Sequence, residues 1–146
     1  MSLSRIRTAA LVAVVVTAVA VTATQSASAR TVAPRKPKTH TVQMITQAGK
    51  QLFEPVNLTI QAGDTVEWLA VSGSHNVGFW KDSIPAGAAE VLAKVMPDQI
   101  APLLGERKPV KGDKYVVVFT GAPKGLYRYY CKPHINKMMF GTLTVQ

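Results

Sequence analysis

The sequence predicts an all-β protein, a sandwich of antiparallel strands with one short helical segment outside it. Six or seven short stretches are rich in β-branched and aromatic residues or alternate apolar with polar residues, as half-buried strands do. Clusters of Gly, Pro and Asp separate these stretches and predict turns. Only one part of the chain repeats its apolar residues at helical spacing, and no internal repeat is visible.

The first 29 residues have the features of a signal peptide. Arg5 and Arg7 precede an apolar run, and Ala27 and Ala29 form the small-x-small pattern of a cleavage site. The alternative is an uncleaved anchor, but the run is interrupted by Thr and is shorter than a span of about 20 apolar residues. We therefore expect residues 1–29 to be removed on export to the periplasm or the extracellular space, with no stable membrane insertion afterwards.

Residues 30–39 are predicted to be a flexible basic tail, and residues 40–146 a single domain with one core. The whole chain has 17 Lys and Arg residues against 8 Asp and Glu residues, a formal net charge of +9. This surplus indicates acidic partners or surfaces. Nucleic acid is not expected, because the chain is predicted to be exported and its basic residues are scattered.

The strands are predicted from the alternation of their residues. In one of them Val66 and Trp68 face one way and Glu67 the other. Pro55 marks an edge strand or a bulge, because proline cannot donate to a sheet ladder. The predicted strand segments are HTVQMIT (40–46), LFEPVNLTI (52–60), TVEWLAV (65–71), KYVVVFT (114–120), LYRYYC (126–131) and GTLTV (141–145).

A helix is predicted from Ala88 to Met96. Its apolar residues recur every four positions, as Leu92 and Met96 do, and Pro97 ends it. A further helical turn is predicted at Asp98 to Leu104. Both elements fall between the candidate functional residues described next.

The single cysteine, Cys131, cannot form an internal disulfide. It is an inert buried thiol, a nucleophile with His134 as its base, or a metal ligand. The nucleophile is disfavoured, because the flanking residues carry no thiol-protease signature and the pattern is that of a small all-β domain. The remaining alternatives depend on what surrounds the cysteine.

A metal site explains why Cys131 stands beside a histidine and a methionine. A thiolate, two imidazoles and a distant thioether are the ligand set of a mononuclear copper electron-transfer site. Cys131, His134 and Met139 lie on one short loop, and His75 is the candidate from elsewhere in the chain. The alternative for His75 is an exposed loop histidine.

Strand parity selects between the two adjacent methionines. Leu143 and Val145 form the apolar set of the last strand, and stepping back by twos reaches Met139. Met138 is then predicted to point away. Cys131 shares a parity with two upstream tyrosines, which predicts that its sulfur lies on the core face.

Two segments together resemble a known family. YYCKPHINKMMFG is similar to the copper loop of plastocyanins and pseudoazurins, C-x2-H-x4-M followed by x-G. GDTVEWLAVSGSHNV is similar to the first ligand segment of the same proteins, in which a histidine precedes Asn-Val. The resemblance covers roughly residues 56–145 and the order of the two motifs agrees.

The resemblance implies a cupredoxin, a Greek-key β-sandwich that binds one type 1 copper ion through His75, Cys131, His134 and, axially, Met139. It implies a blue-copper protein that passes single electrons between redox partner proteins by Cu(I)/Cu(II) cycling, as a monomer and not as an enzyme. The segment around residues 88–108 is a short helical insertion between the first histidine and the cysteine, longer than expected for such proteins.

Two other functions stay open at this stage. The first is a copper storage or delivery protein on the same fold, and the second is a metal-free β-sandwich adhesion module. A further copper centre is disfavoured, because His40 is the only spare histidine and we interpret it as structural or solvated. Asn76 is either a simple turn residue or a hydrogen-bond link to the Cys131 loop.

The residues around His134 have two interpretations each. Pro133, Ile135 and Phe140 form an apolar patch through which electrons leave, or they only pack the loop. Lys132 and Lys137 steer an acidic redox partner, or they are ordinary solvated charges.

Overall fold

A computed structural model describes residues 35–146 of the chain. The predicted signal peptide (1–29) and the first half of the predicted basic tail (30–39) lie outside the described residues. The strands are β1 (Thr39–Gln47), β2 (Lys50–Glu54), β3 (Asn57–Ile60), β4 (Thr65–Ala70), β5 (Gly78–Phe79), β6 (Gln99–Ala101), β7 (Leu104–Gly105), β8 (Lys114–Val118), β9 (Gly125–Tyr130) and β10 (Phe140–Val145), and the helix α1 is Ala88–Val95.

The strands form two sheets, which confirms the predicted all-β sandwich. One sheet has the order β2-β1-β4-β8, and the other has the order β3-β10-β9-β5-β7-β6. The predicted strand at residues 52–60 is in fact two strands, because the chain leaves one sheet and enters the other at Pro55. Pro55 thus separates two edge strands, where its missing N–H is tolerated.

The sandwich is mixed and not purely antiparallel as predicted. β1 pairs with β4 in parallel, and β10 pairs with β3 in parallel, whereas the remaining strand pairs are antiparallel. The parallel β1–β4 pair follows from the chain path: the chain leaves the first sheet after β2, contributes β3 to the second, and returns beside β1. Alternation of residues cannot distinguish the two directions, since both have a period of two.

The helix forms where it was predicted, but the helical turn predicted at Asp98 to Leu104 is wrong. α1 buries Ala88 and Leu92 against the core, and its last turn is followed by Met96 in an extended conformation. Residues 99–105 form the short hairpin of β6 and β7. The Gln99 side chain stabilises this hairpin, because it donates to the Ala93 carbonyl of α1 and to the Met96 carbonyl just after α1, and it accepts from the Leu103 N–H.

The core lies between the two sheets and is rich in aromatic rings. Trp68 of β4 and Tyr129 of β9 are fully buried, and their ring centroids lie 5.5 Å apart in an edge-to-face arrangement. Tyr127 is also fully buried, and the methionines Met44 and Met96 fill gaps in the core. Aromatic pairs of this geometry contribute roughly 0.5–1.5 kcal/mol beyond their buried area, so they fix how the sheets stack.

This arrangement brings the candidate ligands to one end of the sandwich. β4 leads into the segment of His75, while Cys131 follows β9 and Met139 precedes β10. β9 and β10 are antiparallel neighbours, so the end of one and the start of the other lie side by side.

No helix within residues 35–146 has the length and apolar character needed to cross a membrane.

Candidate metal centre

The Cys131 loop, residues 131–139, is closed by its own backbone. Cys131 N–H donates to the Met139 carbonyl at 3.0 Å, and Met139 N–H donates to the His134 carbonyl at 3.3 Å. The intervening residues form 3-10 turns, Lys132–Lys137, with Pro133 at their start. These local hydrogen bonds hold the backbone of the loop in a fixed shape, from which its side chains project.

The two adjacent methionines of this loop have opposite environments. Met139 is fully buried, whereas Met138 is 77% exposed. Met138 has a φ of 55°, and its N–H donates to the Ile135 carbonyl at 3.1 Å, which turns the chain into β10. The strand parity in the sequence placed Met139 inward in the same way.

His75 is held from several sides. Its backbone pairs with Lys108 in an isolated antiparallel bridge. Its Nε2–H donates to the Ser72 carbonyl at 2.8 Å, and the Thr46 hydroxyl lies 3.3 Å from the same nitrogen. Because Nε2 carries the proton, Nδ1 is left with a lone pair that faces the Cys131 loop.

Three donor atoms converge at this end of the sandwich. His75 Nδ1 lies 3.1 Å from His134 Nδ1, and the Cys131 Sγ lies 3.3 Å from His134 Nδ1 and 3.7 Å from His75 Nδ1. Bonds of transition metals to nitrogen and sulfur measure about 2.0–2.3 Å, so donors spread around one ion lie about 3.1–3.8 Å apart. The three donors are thus spaced as ligands of a single ion.

The environment of these donors favours lone pairs on the nitrogens. Burial lowers the pKa of both His75 and His134, and the charge of Arg107 lowers both further. Burial raises the pKa of the Cys131 thiol, while the backbone N–H groups of Asn76 and His134 and the Arg107 charge act in the opposite direction. Neutral imidazoles are metal ligands and protonated ones are not.

Asn76 joins three segments of the site, which confirms the predicted link to the Cys131 loop. Its side-chain oxygen accepts from the Lys132 N–H at 2.9 Å, and its side-chain nitrogen donates to the Gly105 carbonyl at 3.1 Å. Gly105 belongs to β7, so the insertion after α1 supports the site directly. Asn76 is buried, so these bonds are screened from water.

The structure brings His75, Cys131 and His134 together, and it places Met139 buried at the same end. Sequence reasoning missed Ser72 and the other contacts that fix the His75 ring. Ser72 stands in a turn, SGSH, where serine is common, so nothing in the sequence distinguishes this role from a turn residue.

A family model described as copper binding proteins, plastocyanin/azurin family, matches residues 40–146. The chain belongs to this family. It is 39% identical to a plastocyanin of Scenedesmus fuscus over 108 residues, 73% of this chain and 98% of that protein. It is 33% identical to a plastocyanin of Nostoc punctiforme over 75% of each chain.

Solved structures of the plastocyanin/azurin family have a similar fold. An oxidised plastocyanin of Dryopteris crassirhizoma matches with a TM-score of 0.57 and 28% identity, over 73% of this chain and all of that one. A pseudoazurin of Sinorhizobium matches with a TM-score of 0.53 and 26% identity, over 75% of this chain and 74% of that one. Membership confirms the predicted cupredoxin-like Greek-key sandwich, copper as the cofactor and blue-copper electron transfer as the function.

Proposed function

We propose that His75, Cys131, His134 and Met139 hold one type 1 copper ion, and that the protein carries single electrons between redox partners as a carrier and not an enzyme. The observation that supports this most is the convergence of two imidazole nitrogens and one sulfur at 3.1–3.7 Å. Met139 is the candidate for the weak fourth donor, because it is fully buried and its carbonyl accepts from Cys131.

The residues around the site favour a rigid cage. Bound copper would supply the exchange of one electron between its Cu(I) and Cu(II) forms. The Ser72 carbonyl and the Thr46 hydroxyl hold the His75 ring, and Asn76 holds the backbone that follows Cys131. Ligands fixed in this way move little when the charge of the site changes, which keeps electron exchange fast.

His134 is the ligand closest to solvent. Cys131, His75 and Met139 are fully buried, whereas His134 is only partly buried. Exposed apolar side chains lie on both sides of His134 in the sequence. Pro133 precedes it and is exposed, and Met138 and Phe140 follow it and are 77% and 37% exposed. We infer that a partner docks on this apolar surface and exchanges electrons through His134.

The charge of the loop supports an acidic partner. Lys132 and Lys137 are both exposed and flank His134 in the sequence. They belong to a chain with a net charge of +9. Complementary charges of this kind raise the rate of encounter and lose their effect as salt increases.

The wider context of the protein is part of the same proposal. Residues 1–29 are removed as a signal peptide, and residues 40–146 are the copper domain. The basic residues 30–39 lead into that domain, and Arg35 and Lys38 are already hydrogen-bonded to Asp64. The mature protein works as a monomer in the periplasm or outside the cell. The N-terminal pattern of two arginines, an apolar run and a small-x-small site supports export.

Cyclic voltammetry of the copper-loaded protein tests this function. We expect a reversible one-electron couple, with a blue absorption that disappears on reduction and returns on reoxidation. The copper storage or delivery alternative predicts instead that a chelator removes the metal within minutes and that the couple is irreversible. A metal-free adhesion module predicts no couple at all.

A further inference from the structure

The segment after the β6–β7 hairpin lies directly against the site. Lys108 N–H donates to the His75 carbonyl at 2.7 Å, and His75 N–H donates to the Lys108 carbonyl at 3.4 Å. Residues 106–108, Glu-Arg-Lys, are therefore fixed beside a ligand by a two-bond bridge. Three consecutive charged residues are thus carried on backbone that is fixed beside the site.

Only one of these three charges is left without compensation. The Lys108 ammonium lies 2.5 Å from a Glu106 carboxylate oxygen and 6.0 Å from the centre of the Tyr115 ring. Arg107 is exposed, and within residues 35–146 its guanidinium forms no ion pair or hydrogen bond with a side chain. Arg107 therefore presents a full positive charge to solvent beside the metal end.

Contacts on both sides of Arg107 fix its segment at the site. Gly105, two positions before it, accepts from the Asn76 side chain at 3.1 Å, and Lys108, the next residue, pairs with the backbone of His75. Asn76 also accepts from the Lys132 N–H at 2.9 Å, so the same contacts reach the Cys131 loop. Arg107 is therefore carried by a segment that is fixed beside a candidate ligand and beside the Cys131 loop.

We propose that Arg107, in addition to Lys132 and Lys137, is a docking contact for a carboxylate of the redox partner, and that this contact links docking to the redox state of the site. This inference rests on the proposed function. It adds to that function a specific docking residue and the direction in which docking changes the reduction potential. Arginine suits this role because its planar fork binds carboxylates through two hydrogen bonds.

The direction of the coupling follows from Coulomb's law. The site carries one more positive charge when oxidised, so a nearby fixed cation disfavours the oxidised form and raises the reduction potential. A partner carboxylate on Arg107 cancels that cation and lowers the potential. By thermodynamic linkage an acidic partner then binds the oxidised form more tightly than the reduced form.

The first experiment measures docking without copper, so that its outcome does not depend on the proposed function. Hexaglutamate is titrated into the metal-free protein, and its affinity is compared for wild type, Arg107→Gln and Lys124→Gln. Lys124 is the matched control, because it is exposed and lies at the far end of β9, roughly 20 Å from Cys131 by strand length. We expect Arg107→Gln to weaken binding by roughly fivefold, and Lys124→Gln by less than twofold.

The second experiment measures the reduction potential of the copper-loaded forms. Arg107→Gln is expected to have a lower potential than wild type, Arg107→Lys to restore most of the difference, and Lys124→Gln to match wild type. Hexaglutamate should lower the potential of wild type and leave that of Arg107→Gln unchanged. Equal effects of Arg107→Gln and Lys124→Gln in both experiments would overturn the proposal, because only the overall charge would then matter.

Failure of the two proposals is distinguishable. A wild type that binds copper without a reversible couple contradicts the proposed function, whereas the hexaglutamate affinities still decide the docking role of Arg107. A normal couple with a potential that is insensitive to Arg107→Gln contradicts the coupling alone.

Discussion

Asp64 directly precedes β4 and His75 follows it in the next segment, and both are buried polar residues in a core of apolar ones. Their surroundings differ in kind. Asp64 is an acceptor surrounded by donors, whereas His75 Nδ1 faces a second imidazole nitrogen and a sulfur, both of them metal-ligating atoms. This difference separates a structural polar cluster from one that is suited to a metal ion.

The carboxylate of Asp64 is satisfied by the chain itself. Burial alone would raise its pKa, but the hydrogen bonds it accepts outweigh that effect, so the pKa lies well below its usual value. His40 is one of these partners, which agrees with its predicted structural role. The four donors are Arg35 Nη2 at 2.6 Å, Lys38 N at 2.8 Å, His40 Nε2 at 3.0 Å and Gln61 N at 3.0 Å.

The cluster at the other end of β4 is built differently. Two imidazole nitrogens and one sulfur face each other at 3.1–3.7 Å, and the Ser72 carbonyl fixes the proton of His75 on the opposite side of its ring. A single ion between the three atoms can bind all of them at ordinary metal–ligand distances. The comparison teaches that a buried polar cluster is a ligand site when its atoms are spaced around one point, and a structural cluster when the chain supplies donors to its acceptor.

The largest effect is predicted for a variant that removes the sulfur from the cluster of His75, Cys131 and His134. Cys131→Ser should abolish the intense visible absorption of the copper form, because a hydroxyl is not a soft anionic donor. The fold should persist, with a free energy of unfolding lower by about 1 kcal/mol, since the change is small in volume. Visible spectra and urea unfolding of the variant check both parts, and an undiminished blue band would contradict the ligand assignment.

The second prediction concerns a variant that removes the negative charge of Asp64 from its cluster of donors. Asp64→Asn should lower the free energy of unfolding by about 3 kcal/mol, because four donors lose the charged acceptor that they share. The copper absorption should stay unchanged, which makes this variant the counterpart of Cys131→Ser. Equal stability of Asp64→Asn and wild type in urea at pH 7 would mean that the cluster contributes little.

The difference in unfolding free energy between wild type and Asp64→Asn should also depend on pH, in a direction that can be checked. Asp64 has a folded-state pKa below its unfolded value, so its stabilisation is complete above an unfolded pKa of about 3.9 and is lost as the pH falls through the folded value. The stability difference between wild type and Asp64→Asn should therefore be constant near neutral pH and shrink below about pH 4. A difference that instead grows on acidification has the wrong sign for this account.

A smaller effect is predicted for two glycines that precede the two clusters. Gly73 has a φ of 80°, and an added methyl group would meet the Thr46 hydroxyl and the His75 ring. Gly63 has a φ of 90°, and an added methyl group would meet nothing within 4 Å. Gly63→Ala should cost about 1 kcal/mol of unfolding free energy from backbone strain alone.

Gly73→Ala should cost about 2–3 kcal/mol, because steric overlap is added to the same strain. It should also shift the visible spectrum of the copper form, since it disturbs the contact that orients His75, whereas Gly63→Ala should not. Chemical unfolding and visible spectra of the two variants test the comparison. Identical losses of stability in Gly73→Ala and Gly63→Ala would show that the space beside His75 can accept a methyl group without steric overlap.

The smallest predicted effect concerns the adjacent methionines of the Cys131 loop. Met139→Leu should keep copper but alter its reduction potential, because a weak axial donor tunes the potential of such sites. Met138→Leu should leave the potential almost unchanged, because the side chain is exposed. Voltammetry of the two variants decides, and the reverse pattern would reassign the fourth donor to Met138.

The sequence predicted most strands, the helix and the facing of the key side chains. Alternation alone placed Cys131 and Met139 inward and Met138 outward, because inward and outward positions alternate strictly along a strand. The helix at α1 followed from its four-residue repeat. These successes share one property: each depends on residues within a few positions of each other.

The sequence did not predict features that depend on contacts across the fold. The parallel pairing of β1 with β4 and the β6–β7 hairpin are examples, because neither leaves a periodic pattern of its own. The contact of Thr46 with His75 joins residues far apart in the chain, and so does the pairing of Asp64 with Arg35. Such contacts appear only when the sheets are assembled.

Titration of the metal-free protein with Cu(II), followed by visible absorption, tests the central claim most directly. An intense thiolate-to-copper band should rise in proportion to added metal and stop at one equivalent, since the structure holds one cluster of two imidazoles and one thiolate within residues 35–146. A colourless complex at one equivalent, or a band that keeps growing beyond it, would contradict the assignment of His75, Cys131 and His134 to a single copper site.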